Sequence, residues 1–342
     1  MMNKNVIHKV SICISVHNTE QLLTRCLDSV TSQTLKDIEV ILVNNGSTDS
    51  SLDIMEEYKE RYPEIIKVYS QEDMGLAQGR QTGVNNANGE YVTFLDADDY
   101  VTNDAYEKMY ASAIRHNVDI VECRTLRDGK IIESNYHGVH ETAQILKDYF
   151  FYGDIPAMMW MRLYRNKLFD KPVLPQIYVN NEDVFAFPCL LYKAKDIFYL
   201  KEQLHYYTTD NEHSVMNGIK NKVINEDKII NNRVKTLYVI EHIEKHIGKH
   251  IIENDFSQEF KTYTARLILD FCLNDFKSLL PKDSLNLAFK NTGAKKADMS
   301  TCYDHIKYNN KLIQKSVNVL GLEKTISLYR LLMRIRSTLR TV

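Results

Sequence analysis

The densest concentration of negative charge in the chain is Asp96-Ala97-Asp98-Asp99. Three carboxylates in four positions repel one another unless a cation or a set of donors neutralises them. Hard divalent ions such as Mg2+ or Mn2+ take oxygen ligands and are commonly shared with substrate phosphates. The competing reading is a solvated acidic turn, with Asp99 or Asn103 capping the next helix. A second polar cluster is Asn44-Asn45-Gly46-Ser47-Thr48-Asp49. Gly46 suits a turn with positive φ, and Ser47, Thr48 or Asp49 suits a helix cap. Asn45 offers a donor and an acceptor, as a nucleobase edge requires. A third stretch runs from Met74 to Gly83, with small residues at 75, 77, 79 and 83 that let a helix lie close on a sheet. Within it, Arg80 suits a phosphate or a bidentate grip on the Asp96–Asp99 carboxylates. Taken singly, the Asn44–Asp49 stretch reads more readily as an ordinary strand-to-helix turn, and the Met74–Gly83 stretch almost as readily as helix–sheet packing with a surface arginine.

The elements around these clusters decide more than the clusters do. Apolar runs at 10–16, 38–43, 65–69 and 92–95 read as strands. Between them, 20–32, 49–62 and 76–86 read as helices. Apolar strands separated by helices of this length predict crossover units and a largely parallel sheet. Each polar cluster follows a strand, beginning with His17-Asn18-Thr19-Glu20. In open α/β sheets the ligand crevice lies beyond the carboxyl ends of the strands. Three polar loops on one edge therefore predict a nucleotide-sized site. Further on, a helix is expected from Asp104, a strand over 119–123 and a helix after Asn181, and the pattern is helical from about 220.

With 342 residues, one large domain plus a smaller one is the natural expectation. The net charge of −2 hides an asymmetry. Residues 1–217 carry 21 Lys and Arg against 32 Asp and Glu, whereas residues 218–342 carry 22 against 13. The six cysteines show no CxxC spacing, which excludes a zinc ribbon and a disulfide framework. The first apolar stretch is too short and polar for a signal peptide, and no run approaches a membrane span of about 20 residues. A cytoplasmic protein, soluble or peripheral at the inner face of the membrane, is the expectation, and nothing points to nucleic acid.

Residues 10–100 resemble the family 2 glycosyltransferases, which have the GT-A fold. The resemblance rests on four motifs in order: Val10-Ser-Ile-Cys-Ile-Ser-Val-His-Asn18, Asn45-Gly46-Ser47-Thr48-Asp49, Gly75 to Gly83 with Arg80, and Leu95-Asp96-Ala97-Asp98-Asp99. Two positions depart from the commonest pattern: Ser15-Val16-His17-Asn18 stands for Pro-x-Tyr-Asn, and Asn45 for Asp. The resemblance implies a Rossmann-like α/β domain over 1–217, with a nucleotide-sugar half to about 100 and an acceptor half after it. A basic helical domain over 218–342 follows. It also implies roles. Val16, His17, Glu20 and Asn45 would surround base and ribose, while Asp73 and Arg80 would line the diphosphate. Asp96, with Ala97 beside it, would approach ribose or sugar, and Asp98 would bind Mn2+ or Mg2+. Asn180-Asn181-Glu182-Asp183-Val184-Phe185 resembles the family's Glu-Asp motif, making Asp183 the candidate base with Glu182 as backup. Trp160-Met-Arg162-Leu-Tyr164 resembles a Trp-x-Lys-Leu-Tyr segment, where Trp160 either stacks on a sugar or fills the core. In the 205–216 stretch, His213 is a better metal candidate than His205, which sits in a strand-like run.

These readings converge on an inverting glycosyltransferase using a nucleotide-diphosphate sugar, with UDP expected, and a hydroxyl of a glycan or lipid-linked glycan as acceptor. Polysaccharide assembly at the cell surface is the implied setting. The stretch 325–342 sets Leu328, Leu331, Leu332, Ile335, Leu339 and Val342 on one helical face, with four arginines opposite. It suits an anionic membrane surface, internal packing, or a homo-oligomer through the C-terminal helices. A sugar nucleotidyltransferase would carry a Gly-rich basic loop after the first strand, which His17-Asn18-Thr19-Glu20 lacks. A non-catalytic carbohydrate- or lipid-binding relative would lack the Asp96–Asp99 cluster or the Glu182-Asp183 pair, and both are present.

Overall fold

The structure, a computed structural model, describes residues 8–151, 155–171, 173–175 and 182–209, with positions 243 and 247. His213, the 325–342 stretch and most of the region expected to be helical lie outside these residues. The chain divides into two compact units, residues 1–146 with 155–222 and residues 147–154 with 223–342. Of the second unit, the described residues are the last turn of one helix and the buried, helical Ile243 and Ile247.

The first unit opens with three strand–helix steps and a fourth strand. These are β1 (His8–Val16), α1 (Glu20–Thr31), β2 (Ile38–Asn45), α2 (Ser51–Arg61), β3 (Ile66–Gln71), α3 (Leu76–Asn86) and β4 (Gly89–Phe94). There follow β5 (Tyr100–Val101), α4 (Ala105–His116), β6 (Ile120–Arg127), β7 (Lys130–Ile132), β8 (Gly138–Glu141) and α5 (Thr142–Phe151). The described part ends with β9 (Arg162–Arg165), α6 (Glu182–Lys193) and β10 (Asp196–Tyr207). All eight residues of β2 are buried, and so are Val10 to Ile14 of β1. Continuous burial of this kind belongs to parallel strands covered on both faces. Their inner side chains, among them Ile12, Ile14, Val40 and Leu42, pack with Leu23, Leu27 and Met55 of the helices.

Sheet order is β3-β2-β1-β4-β9-β6-β10-β5. The half from β3 to β4 is parallel, with Val10 opposite Ile38 and Tyr91. The other half is mixed. There β9 runs antiparallel to both β4 and β6, and β10 is parallel to β6 but antiparallel to β5 and β8. β9 is entered from a 3-10 turn at Met159–Met161 instead of a crossover helix, so it comes in from the opposite end of the sheet. Because β6 and β10 run the same way as β4, their carboxyl ends join those of β1, β2 and β4 at one edge.

Close approach of α3 to this sheet depends on two glycines. A Cβ on Gly79 would stand 2.1 Å from Ser15 Oγ, and one on Gly83 would stand 2.9 Å from Cys13 Cβ. No described helix is long and apolar enough to cross a membrane.

Candidate active site

The loops after β1 and β2 are locked by exchanged caps. Glu20, at the start of α1, accepts the Ser50 amide at the head of α2 (2.8 Å), and Asp49 accepts the Glu20 amide (3.1 Å) and that of Ser51 (3.0 Å). Each helix is thus capped by a carboxylate from the other loop, which satisfies orphan amides and suits both helix dipoles. Asn18, at φ 51°, accepts the Thr48 amide (2.8 Å), and His17 Nδ1 lies 2.8 Å from the Asn45 carbonyl. His17 stays exposed at the mouth of the edge.

Several of the expected binding residues have their side chains engaged within the protein. Asn45 is buried; its amide donates to Asp73 (3.2 Å) and accepts from Gln71 (2.7 Å), so its hydrogen-bonding capacity is spent inside the protein. The buried Val16 side chain belongs to the core, and Ala97 is likewise buried. The Glu20 carboxylate is occupied as a cap. Asp73 is exposed and held by Asn45, and it accepts the Gly75 amide (3.0 Å). Gly46 has the expected positive φ of 75°, and a Cβ there would meet the Asp73 amide nitrogen at 2.6 Å.

The acidic turn sits at the end of β4, with Leu95 donating to the Cys13 carbonyl (3.1 Å). Arg80 on α3 is 4% exposed, donates to Asp96 Oδ1 (2.6 Å) and forms a second, shorter bond to Glu182 Oε1. One guanidinium therefore joins the turn to the first residue of α6. Arg25 on α1 donates to the Asp98 carbonyl (3.0 Å) and to Thr208 Oγ1 (2.6 Å), and Thr208 gives its amide to Asp99 (2.7 Å). Asp99 is neither solvated nor a helix cap: it is fully buried, and Asp104 takes the cap position of α4. His205 is also buried, 3.4 Å from Asp99 Oδ2, with Trp160 stacked on its ring at 4.5 Å. Trp160 thus fills the core. Arg25 and Thr208 carry no sequence signal; a lone helical arginine and a threonine after a strand become notable only when the sheet edge gathers them.

Burial governs the protonation of this cluster. It pushes Asp99 well above the usual carboxylate range, and the neighbouring Asp96 and Asp98 charges add to the effect. Burial also raises Glu182 to about 7 and raises Asp183, with the Arg80 charge opposing both shifts. His205 falls to about 3 because burial disfavours the imidazolium, which leaves it a neutral ring beside Asp99. Asp183 lies in the first turn of α6, partly exposed, with Oδ1 accepting the Val184 amide (2.8 Å). A carboxylate raised by burial and still reachable from the edge is suited to accept a proton near neutral pH.

The donor set suits a hard cation. Among the described residues, Asp96, Asp98 and Asp99 in the turn after β4 and Glu182 and Asp183 at the head of α6 supply carboxylate oxygens, with Arg25 and Arg80 beside them. Among the described residues no three His, Cys, Asp or Glu side chains close a metal cage. An ion here would take part of its shell from phosphate oxygens, as Mg2+ and Mn2+ commonly do.

Comparisons with known proteins agree with this architecture. Residues 11–172 match the model of Glycosyl transferase family 2. The chain is 31% identical over 212 residues to the glycosyltransferase GlyA of Streptococcus pneumoniae, covering 58% of this chain but only 30% of that protein. It is 30% identical over 251 residues to the cholesterol galactosyltransferase of Borreliella burgdorferi, covering 68% of this chain and 69% of that one. Among solved structures, residues 1–349 of Staphylococcus aureus TarS in complex with UDP-GlcNAc align with a TM-score of 0.67 at 18% identity, over 94% of this chain and 89% of that one. That likeness concerns the fold, which is GT-A.

Proposed function

The chain belongs to glycosyltransferase family 2, and from that membership we propose that it transfers a sugar from a nucleotide-diphosphate sugar to an acceptor hydroxyl, with inversion. The observation that carries this reading is the Arg80 bridge, which joins Asp96 in the turn after β4 to Glu182 at the head of α6, 102 residues from Arg80 in sequence. A donor-binding turn and a proton acceptor must lie side by side for direct displacement at an anomeric carbon, and the bridge supplies that adjacency.

The roles divide as follows. His17 and Asp73, exposed at the ends of β1 and β3, line the nucleotide side. Asn45, Glu20 and Val16 shape that wall from behind. Asp98 presents its carboxylate toward the donor phosphates, Asp96 faces the sugar side, and His213 is an additional candidate ligand outside the described residues. A divalent cation, Mn2+ or Mg2+, would neutralise charge building on the departing diphosphate. Asp183 accepts the proton of the attacking hydroxyl, and Glu182, held by Arg80, fixes the start of α6. A UDP-sugar donor is favoured by analogy with TarS, which is described in complex with UDP-GlcNAc. A glycan or lipid-linked glycan acceptor and the domain boundary near 217 are part of the same proposal, as are membrane or oligomer contacts through 325–342.

The test is to incubate the protein with Mn2+ and a panel of nucleotide sugars, and to measure nucleoside diphosphate release with and without glycan acceptors. Release from one donor class, stimulated by an acceptor and lost in Asp98→Ala, is expected. Release from no donor, or release unchanged in Asp98→Ala, would overturn the reading.

A further inference from the structure

The side chain of Arg25 projects from the exposed surface of α1, where a surface arginine ordinarily has only water to bind. Here it is fixed on three sides. Its Nη2 donates to the main-chain carbonyl of Asp98 at 3.0 Å and to Thr208 Oγ1 at 2.6 Å. Its guanidinium lies over the Tyr100 ring, 4.7 Å from the centroid. Tyr100 is itself stacked on Tyr206 at 4.5 Å, only 4° from parallel. That stack stands where β5 pairs with β10, so the arginine caps a rigid aromatic ledge. A planar guanidinium can stack and donate in its own plane at once, which an ammonium cannot do equally well.

The contacts join three segments far apart in sequence: α1, the acidic turn and the end of β10. A second bond runs alongside, from the Thr208 amide to Asp99 Oδ1 at 2.7 Å. The turn carries several like charges and would spread if it were held by its own backbone alone. Its internal restraint is the Asp99 amide donating to the Asp96 carbonyl at 3.0 Å. Arg25 adds an outside anchor at the carbonyl of the very residue assigned to the metal, and brings positive charge to a cluster rich in carboxylates.

We propose that Arg25 is a positioning residue, clasping the acidic turn to the carboxyl end of β10 so that the Asp98 carboxylate is presented in one place. The inference rests on the functional reading above, since it matters to turnover only if Asp98 serves the donor. Because Arg25 is exposed, its removal leaves the core intact. Arg25→Ala is expected to keep the wild-type melting temperature within a few degrees. The Thr208 amide should exchange with solvent hydrogen about tenfold faster. The Mn2+ concentration for half-maximal turnover should rise about tenfold, with kcat reduced less than threefold. Arg25→Lys should recover part of both effects. Thr208→Val, which keeps the amide and loses the hydroxyl, should raise the Mn2+ requirement in the same direction and add little to Arg25→Ala.

Wild-type exchange at Thr208 together with an unchanged Mn2+ requirement in Arg25→Ala, measured on an enzyme whose wild type turns over, would overturn the clasp and leave the functional reading standing. Additive effects of the two substitutions would also overturn it. A wild type that releases no nucleoside diphosphate would overturn both.

Discussion

Removing the Arg80 guanidinium should expose the electrostatic cost on which the site is built. Arg80 and Glu182 are each 4% exposed and Asp96 is 25% exposed, so the pairs are poorly screened by water. Arg80→Met keeps much of the volume and deletes the charge, leaving two carboxylates facing each other without a cation. Removing one partner of a buried pair costs about 3–5 kcal/mol, because the remaining charge stays desolvated. For a domain of this size that corresponds to a fall in melting temperature of about 6–20 °C. The deficit should depend on pH. Without Arg80, the charge that opposes the burial-driven rise of the Glu182 pKa is gone, so the folded form binds more protons there than the unfolded chain does. Such groups lose stability as pH rises through the folded pKa and regain it below the unfolded one. The melting difference between variant and wild type should therefore be widest at neutral pH and narrow toward pH 4. Adding Glu182→Gln to Arg80→Met should recover a substantial part of it. Melting curves at five or six pH values suffice, and a deficit below about 1 kcal/mol, or one that is flat with pH, would refute the reasoning.

Three further outcomes follow from the same geometry. The acid limb of the kcat/KM profile should lie above pH 3.8, the ordinary aspartate value, because burial raises Asp183 and the base must be ionised to work; a limb at or below 3.8 in a pH–rate series would contradict this. Gly79→Ala should destabilise the domain by about 1–3 kcal/mol, since its Cβ would meet Ser15 Oγ at 2.1 Å and force α3 off the sheet; urea unfolding measures it. Asp99→Leu should cost about 1–3 kcal/mol by leaving the half-buried Thr208 amide without its acceptor, whereas Asp99→Asn, still an acceptor, should cost less; equal losses in thermal melts would remove that bond from the account.

Much of the fold from β1 to β4 was legible because its periodicity is plain. The strands expected at 10–16, 38–43, 65–69 and 92–95 correspond to β1 to β4, and α3 begins and ends where the pattern put it. Arg80 was singled out for a grip on the acidic turn, and it has one. The stretch after β4 was harder. β7, β8 and β9 have three, four and four residues, too short for alternation to register, and the reversal at β9 leaves no local trace. The surroundings of the candidate site residues were hidden for a related reason. Asn45 and Glu20 have side chains that suit a ligand, but the loops they sit in required their hydrogen bonds first. Glu182 and Asp183 looked like a helix start, which they also are; the Arg80 bonds from α3, invisible in the sequence, join that start to the turn.

The central claim is that proton transfer and donor binding belong to different carboxylates, Asp183 and Asp98. The direct measurement is acceptor-dependent nucleoside diphosphate release by Asp183→Asn, set beside nucleotide binding by calorimetry on the same protein. Turnover should fall about 10²–10⁴-fold, the usual contribution of a general base, while binding stays within threefold of wild type. Turnover within tenfold of wild type, or a parallel collapse of binding, would contradict that division.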